Sequence, residues 1–323
     1  MRYKRNPTPV ERSWRRHAVS AAMLIACLLA ATAAGAQDNH RGAYVGLNLG
    51  LTSSARLDSA LSAVTNPTKC DRLLYDDPAL VPSSAPECTD TTLRQLSSNG
   101  FSPGPGFTGG LSAGYAFGRP RIEFEYRART QGGDVSPLIE SATNQAVVSK
   151  SLEWSPVSPP TESISNYRVH QVFANLYFDF PNDSRWTPFL GAGAGMARTD
   201  FRYTRRLVRK TLDQGYQDVE PPLTLADRPA AAAGTISLLQ PDLSATLPGF
   251  QVLGGLDYAL GERTSIGLNA HWSRFGELSQ DVVWSIIRSH QPVRADGTTP
   301  FSGTVRVDSF QYWGVTLGLK YRF

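Results

Sequence analysis

The chain has 323 residues, 41% of them hydrophobic and 19% charged, with a formal net charge of +4. Six basic residues and one acidic residue (Glu11) fall in residues 1–36, so the remainder carries +4 − 5 = −1. That balance excludes the basic footprint of a nucleic-acid-binding protein, and no later stretch of about 18 apolar residues offers a membrane-spanning helix.

Arg2, Lys4, Arg5, Arg12, Arg15 and Arg16 precede an apolar run from Ala18 to Ala30. Ala34 and Ala36 then supply the A-x-A pattern of a signal-peptidase site, which predicts a signal peptide over 1–36 and cleavage after Ala36. A rival reading stays open: "LIAC", Leu24 to Cys27, is similar to a lipoprotein box that would lipidate Cys27. Residues 37–323 are then expected to form one domain.

The first period-2 stretch, "AYVGLNLGL", puts Val45, Leu47, Leu49 and Leu51 on one face and Tyr44, Gly46, Asn48 and Gly50 on the other. A long polar segment follows and contains Cys70 and Cys88. In an exported chain these predict a disulfide, with two free thiols as the alternative. No C-x-x-C or H-x-x-x-H spacing accompanies them, so neither metal nor cofactor is expected.

Seven more alternating stretches follow. "GFTGGLSAGYAF" is the second. "RIEFEYRAR" sets Ile122, Phe124, Tyr126 and Ala128 against Arg121, Glu123, Glu125, Arg127 and Arg129. "QVFANLYFDF", "WTPFLGAGAGM", "FQVLGGLDYAL" and "TSIGLNAHWS" come next. The last, "QYWGVTLGLKYRF", runs to Phe323 with Trp313, Val315, Leu317, Leu319 and Tyr321 on its apolar face. Each is near the length that crosses a bilayer as a tilted strand.

The connections alternate between tight and long. "GRP", "PNDSR" and "GER" are hairpin turns, whereas 52–105, 131–166, 205–247 and 276–305 are long loops. Short turns at one end and long loops at the other is the arrangement of an outer-membrane barrel, with the short turns periplasmic and the long loops extracellular. In lipid an open sheet edge leaves backbone groups unsatisfied, so the sheet must close. The predicted fold is therefore an all-β, eight-stranded, antiparallel up-and-down transmembrane barrel. Aromatic residues segregate accordingly. Tyr115, Phe117, Phe178, Phe180, Trp186, Tyr258, Tyr321 and Phe323 fall at the short-turn end, and Phe107, Tyr126, Trp272 and Trp313 toward the other, as two interfacial belts require.

On these features the chain resembles the small eight-stranded outer-membrane barrel superfamily of the outer-membrane protein A barrel domain, the opacity proteins and the attachment-invasion proteins. Gly318, Tyr321 and Phe323 resemble the C-terminal signal read by the barrel-assembly machinery; Leu317 departs from the polar residue usual there. The resemblance implies a bacterial outer-membrane location, contact with outer-membrane lipid and lipopolysaccharide, and a non-enzymatic monomer acting in surface interaction or envelope integrity.

The polar faces nominate the chemistry. Arg121, Glu123, Glu125, Arg127, Asp179, Asp257, Lys320 and Arg322 are expected to project into the lumen as a mutually neutralising plug. The alternative is a narrow porin-like channel for small solutes, gated by charges that change partners. His271 and Ser273, with Glu277 nearby, resemble the His-x-Ser pair of outer-membrane lipid A deacylases, which makes an enzyme the further alternative. A basic run in the third long loop, Arg202, Arg205, Arg206, Arg209 and Lys210, is a candidate for lipopolysaccharide phosphates or another polyanionic extracellular ligand. Its competing reading is a solvated strand extension balanced by Asp213, Asp218 and Glu220.

Overall fold

The computed structural model describes residues 41–138, 144–217 and 231–323. The expected leader, its expected cleavage site and Cys27 lie outside the described residues, as do Asp218 and Glu220. Eight strands form a closed antiparallel barrel: β1 (Arg41–Ser54), β4 (Gly106–Phe117), β5 (Pro120–Thr130), β7 (Thr161–Asp179), β8 (Trp186–Val208), β10 (Asp242–Ala259), β11 (Thr264–Phe275) and β14 (Gln311–Arg322). Each pairs with the next in chain order, and β14 pairs with β1 from Tyr44↔Arg322 to Ser54↔Tyr312, which closes the ring. No helix among the described residues is long and apolar enough to cross a membrane.

Across the band that meets lipid, the alternation decides which way each side chain faces. Leu49, Phe124 and Leu317 point outward and are 60%, 68% and 56% exposed, while Glu123 and Asn175 between them are 3% and 2% exposed. Many of the outward aromatic residues pack on one another. At the short-turn end these are Tyr115–Phe117, Phe178–Phe180, Trp186–Tyr258 and Tyr321–Phe323; at the other, Phe250–Trp272–Trp313. Small inner residues make room for large ones opposite. A Cβ on Gly314 would lie 2.3 Å from Cε1 of His271.

The long connections differ from the sequence expectation: much of each is regular structure. Strands β7, β8 and β10 continue well beyond the lipid band, and above it their pattern inverts. On β8 the outward positions change from Leu190, Ala192, Ala194 and Met196 to Arg198, Asp200 and Arg202. The inward ones change from Gly191, Gly193 and Gly195 to Ala197, Phe201 and Tyr203. The cause is the surroundings: outside the bilayer the outer face meets water, and the inside is free to hold an apolar core. That core packs against a second, four-stranded sheet built from two loops. β2 (Leu57–Val64) and β3 (Leu93–Phe101) come from the first long connection, β12 (Leu278–Val283) and β13 (Ser302–Asp308) from the fourth. Two short strands, β6 (Asp134–Pro137) and β9 (Ile236–Leu239), extend β7 and β8 at the same level.

Candidate functional site

The lumen is filled in layers. Nearest the short turns, Arg121 lies 3.1 Å from Asp179 and 3.6 Å from Asp257, and Lys320 donates to Asp257 at 2.6 Å. The Arg121 guanidinium stands over the rings of Tyr177 and Phe189, 4.4 and 4.7 Å from their centroids. Next, Glu123 accepts from the hydroxyls of Tyr44 (3.0 Å) and Tyr177 (2.9 Å). Glu125 pairs with Arg127 and accepts from Gln251 at 3.0 Å. Arg129, missing from the expected set although its parity places it inside, donates to Gln171 at 2.5 Å and stands 4.2 Å from the Tyr312 ring centroid. Arg322 borders the short-turn mouth, an open hollow of about 230 Å³ shared with Arg121, Asp257 and Lys320.

Between these layers a void of only about 10 Å³ remains, bounded by Glu123, Glu125, Arg127, Tyr177 and Lys320. That is about the space of a single water-sized probe. Above Arg129 the filling turns aromatic: Tyr167 and Tyr312 share a 2.5 Å hydroxyl contact, and Phe173, Phe275 and Phe201 pack around them. The described barrel interior thus carries charged groups below and an aromatic core above.

His271 and Ser273 are buried in this interior, and neither makes a side-chain hydrogen bond. Glu277 does not join them; it is exposed and lies 3.8 Å from Arg306. A triad requires base, nucleophile and acid within hydrogen-bonding reach. This trio does not provide it.

The basic run of the third connection, the candidate polyanion site, is likewise not one cluster. Strand alternation carries β8 through it and sends its members to opposite faces. Arg202 faces out and is held by Asp242 through two contacts of 2.8 and 3.1 Å, and exposed Arg206 bonds Ser158. Arg205 turns inward onto Glu162 (3.1 Å), and Arg209 onto Glu153 (3.1 Å). Lys210 ties the segment down through its backbone N–H to the Glu153 carbonyl at 2.8 Å.

The inward arginines instead join the loops into a cap. Glu162 accepts from Arg205 of β8 and from Ser97 and Asn99 of β3, the latter at 2.5 Å. Asn144 of the second loop donates to Asn99 at 3.1 Å. Arg209 reaches Thr235 and Thr68. Arg288 of the fourth loop donates to Asp71 of the first at 2.6 Å and to the Asn66 carbonyl. Beside these pairs the first loop is pinned by the Cys70–Cys88 disulfide, whose Cα atoms are 5.4 Å apart. Together the loops surround a cleft of about 430 Å³ lined by Trp154, Trp284 and Phe301 and by Arg205, Arg209 and Arg288. No group of three or more His, Cys, Asp or Glu among the described residues is arranged to hold a metal.

Asp71 gives the cap an acid limit. Burial pushes its carboxyl up, but the His290 hydrogen bond and the Arg288 guanidinium outweigh burial and hold it below the ordinary carboxylate range. A carboxyl lowered on folding contributes stability above its unfolded-state pKa and loses it as pH falls through the folded value. The protection of residues 66–72 and 286–290 against hydrogen exchange, relative to the intrinsic rate at each pH, is therefore expected to fall as pH drops below about 4. Asp71→Asn should show fast exchange at neutral pH already, with a flatter acid dependence.

A closed eight-stranded barrel with an outward apolar band, two aromatic belts and ordered loops at one end defines a transmembrane protein of the bacterial outer membrane. The chain belongs to the outer membrane protein beta-barrel domain family, whose model matches residues 21–323. Among solved structures it is similar to Neisserial surface protein A (14% identity, covering 87% of this chain and 97% of that one, TM-score 0.36). It is also similar to OprG from Pseudomonas aeruginosa (10%, 88% and 98%, TM-score 0.40). A third is the outer membrane protease OmpT from Escherichia coli (10%, 91% and 99%, TM-score 0.41). No curated protein matches the chain in sequence.

Proposed function

We propose that this is a non-conducting, non-enzymatic barrel that works at the cell surface, holding an extracellular ligand in the cleft of its four-loop cap. The observation that carries this reading is the inversion on β7, β8 and β10. Beyond the lipid band the barrel interior becomes an apolar core sealed by the second sheet, so its upper half is a rigid platform rather than a pore mouth. Binding residues concentrate on loops fixed by such a scaffold. The cleft volume lies within the range of about 300–1,000 Å³ usual for small-ligand sites, and its wall combines aromatic rings with ion-paired donors. Buried His271 and Ser273 support the non-enzymatic reading, because an acyl chain in the outer leaflet meets the opposite face of β11.

Planar-bilayer recording of the full chain tests it. No discrete conductance steps are expected at any voltage the membrane tolerates. Steps of reproducible size would return the porin-like alternative in its place.

A further inference from the structure

We propose that the cleft of the cap takes a small, ring-bearing monocarboxylate. Its carboxylate is bound by the two Nη groups of Arg205, and its apolar body packs on Trp284 and Phe301. This inference rests on the reading of the cap as the ligand-holding end and adds the chemical class of the ligand.

Unspent hydrogen-bond donors carry it. Most donors on the cleft wall already have acceptors. Arg209 is used on Glu153, Thr235 and Thr68, and the Trp154 indole N–H donates to the Val147 carbonyl at 2.8 Å. Arg288 donates to Asp71 and to the Asn66 carbonyl. Arg205 differs. Its side chain is 6% exposed, and its one hydrogen bond among the described residues runs from Nε to Glu162. Both Nη groups keep their donors, and neither is sealed from the cleft. The Trp284 indole N–H, on a residue 4% exposed, likewise has no acceptor among the described residues. Donors held this deep favour a ligand that brings the acceptor.

Charge sets the class of that ligand. Of the cations lining the cleft, Arg94 lies against Asp90, Arg205 against Glu162 and Arg288 against Asp71. Arg209 and Lys150 share Glu153, and the lining Glu87 is paired with Lys69. Six cations thus stand against five carboxylates, which leaves a single positive charge. A monoanion cancels that surplus, whereas a dianion would bring uncompensated negative charge into a partly desolvated site. A carboxylate also presents two coplanar oxygens to the two Nη groups of one guanidinium, whose Nε is already anchored. The body follows from the walls. The Trp284 and Phe301 rings meet edge to face with centroids 4.6 Å apart, and Leu96 and Ile287 extend the apolar lining. A volume of about 430 Å³ is the space of about fourteen waters. That suits one or two fused rings on a short stem.

The test is equilibrium dialysis of the full chain in phosphatidylcholine nanodiscs against 2-naphthoate, with uptake by empty nanodiscs subtracted. The neutral 2-naphthamide and the dianionic 2-naphthyl phosphate are measured alongside. The wild type is expected to bind naphthoate at one saturable site, at least about tenfold more tightly than either analogue. Millimolar acetate, which lacks the ring, should not displace it. Arg205→Lys keeps the charge and its pairing with Glu162 but removes the fork. It should weaken naphthoate about tenfold and leave the amide as in the wild type. Trp284→Phe, which keeps a ring and removes the N–H, should weaken naphthoate about fivefold. A control, Arg306→Gln on the exposed face of the cap, should bind as wild type. Heat-modifiable gel mobility and protease resistance of residues 57–101 confirm that each variant keeps barrel and cap. The inference is overturned if naphthoate binds no more tightly than its analogues, if no probe saturates, or if both cleft variants keep wild-type selectivity. Discrete conductance steps would instead overturn the reading of the cap on which it rests.

Discussion

Replacing Arg121 with alanine is expected to destabilise the barrel by about 3–5 kcal/mol, the range for removing one partner of a buried ion pair. Arg121 is 3% exposed and lies 3.1 Å from Asp179 and 3.6 Å from Asp257, besides packing over the rings of Tyr177 and Phe189. Its loss leaves Asp179 buried without that partner, while Lys320 still answers Asp257. Urea unfolding of the protein in lipid vesicles, followed by tryptophan fluorescence, measures the effect. The double variant Arg121→Ala with Asp179→Asn should recover part of the loss, because the uncompensated charge is gone while the missing ring contacts are not. A loss below about 1 kcal/mol would show that water screens the lumen and that the charges do not act as a plug.

The second large effect belongs to Glu162→Ala and should appear in the cap alone. Glu162, 1% exposed, is the common acceptor for Arg205, Ser97 and Asn99, and so joins β7 and β8 to the sheet carried by the first and fourth loops. Without it the Arg205 guanidinium is left buried and unpaired, at a local cost of about 3–5 kcal/mol. Local opening can occur below the free energy of global unfolding. Brief protease treatment should therefore nick the variant within residues 57–101, where the wild type resists, while both keep the heat-modifiable mobility of an intact barrel. Equal protease resistance would mean that the apolar core holds the cap without this junction.

The membrane half was legible because a single surrounding, lipid, acts on one face of every strand, so the pattern repeats eight times. The same parity fixes which side of a strand each residue takes. It failed above the band for two particular reasons. The first is a bulge in β7: the register against β8 slips between Ser165 and Arg168, with Asn166 at a positive φ of 55°. Ile164 and Tyr167 both point inward across it, so period-2 counting breaks and the strand looks as if it begins at 167. The second is the exchange of solvent, which turned a greasy outer face into Arg198, Asp200 and Arg202 and made a continuing strand read as a charged loop.

Arg205 shows the limit most plainly. Its neighbours in sequence suggested an exposed cation, yet one step of parity from Arg206 places it against Glu162, which lies 43 residues earlier. Glu162 was not singled out at all; an acid inside an alternating "TESISN" stretch was the available signal. The cap sheet was hidden in the same way. "LDSALSAV" and "SGTVRVD" do alternate, but each is short and set among turn-forming residues. Their pairing, from Gly303↔Ala63 to Asp308↔Asp58, joins opposite ends of the chain.

By itself the sequence determined the number of crossing strands, their inward and outward faces, the aromatic belts, and the cysteine pair later found bonded. Those are local consequences of a side-chain period meeting a uniform apolar surrounding. Only the tertiary structure decided that the loops form a cap, and which arginines are clamped by buried carboxylates. Each of those depends on partners brought together from distant segments, where shape and charge complementarity leave no local trace.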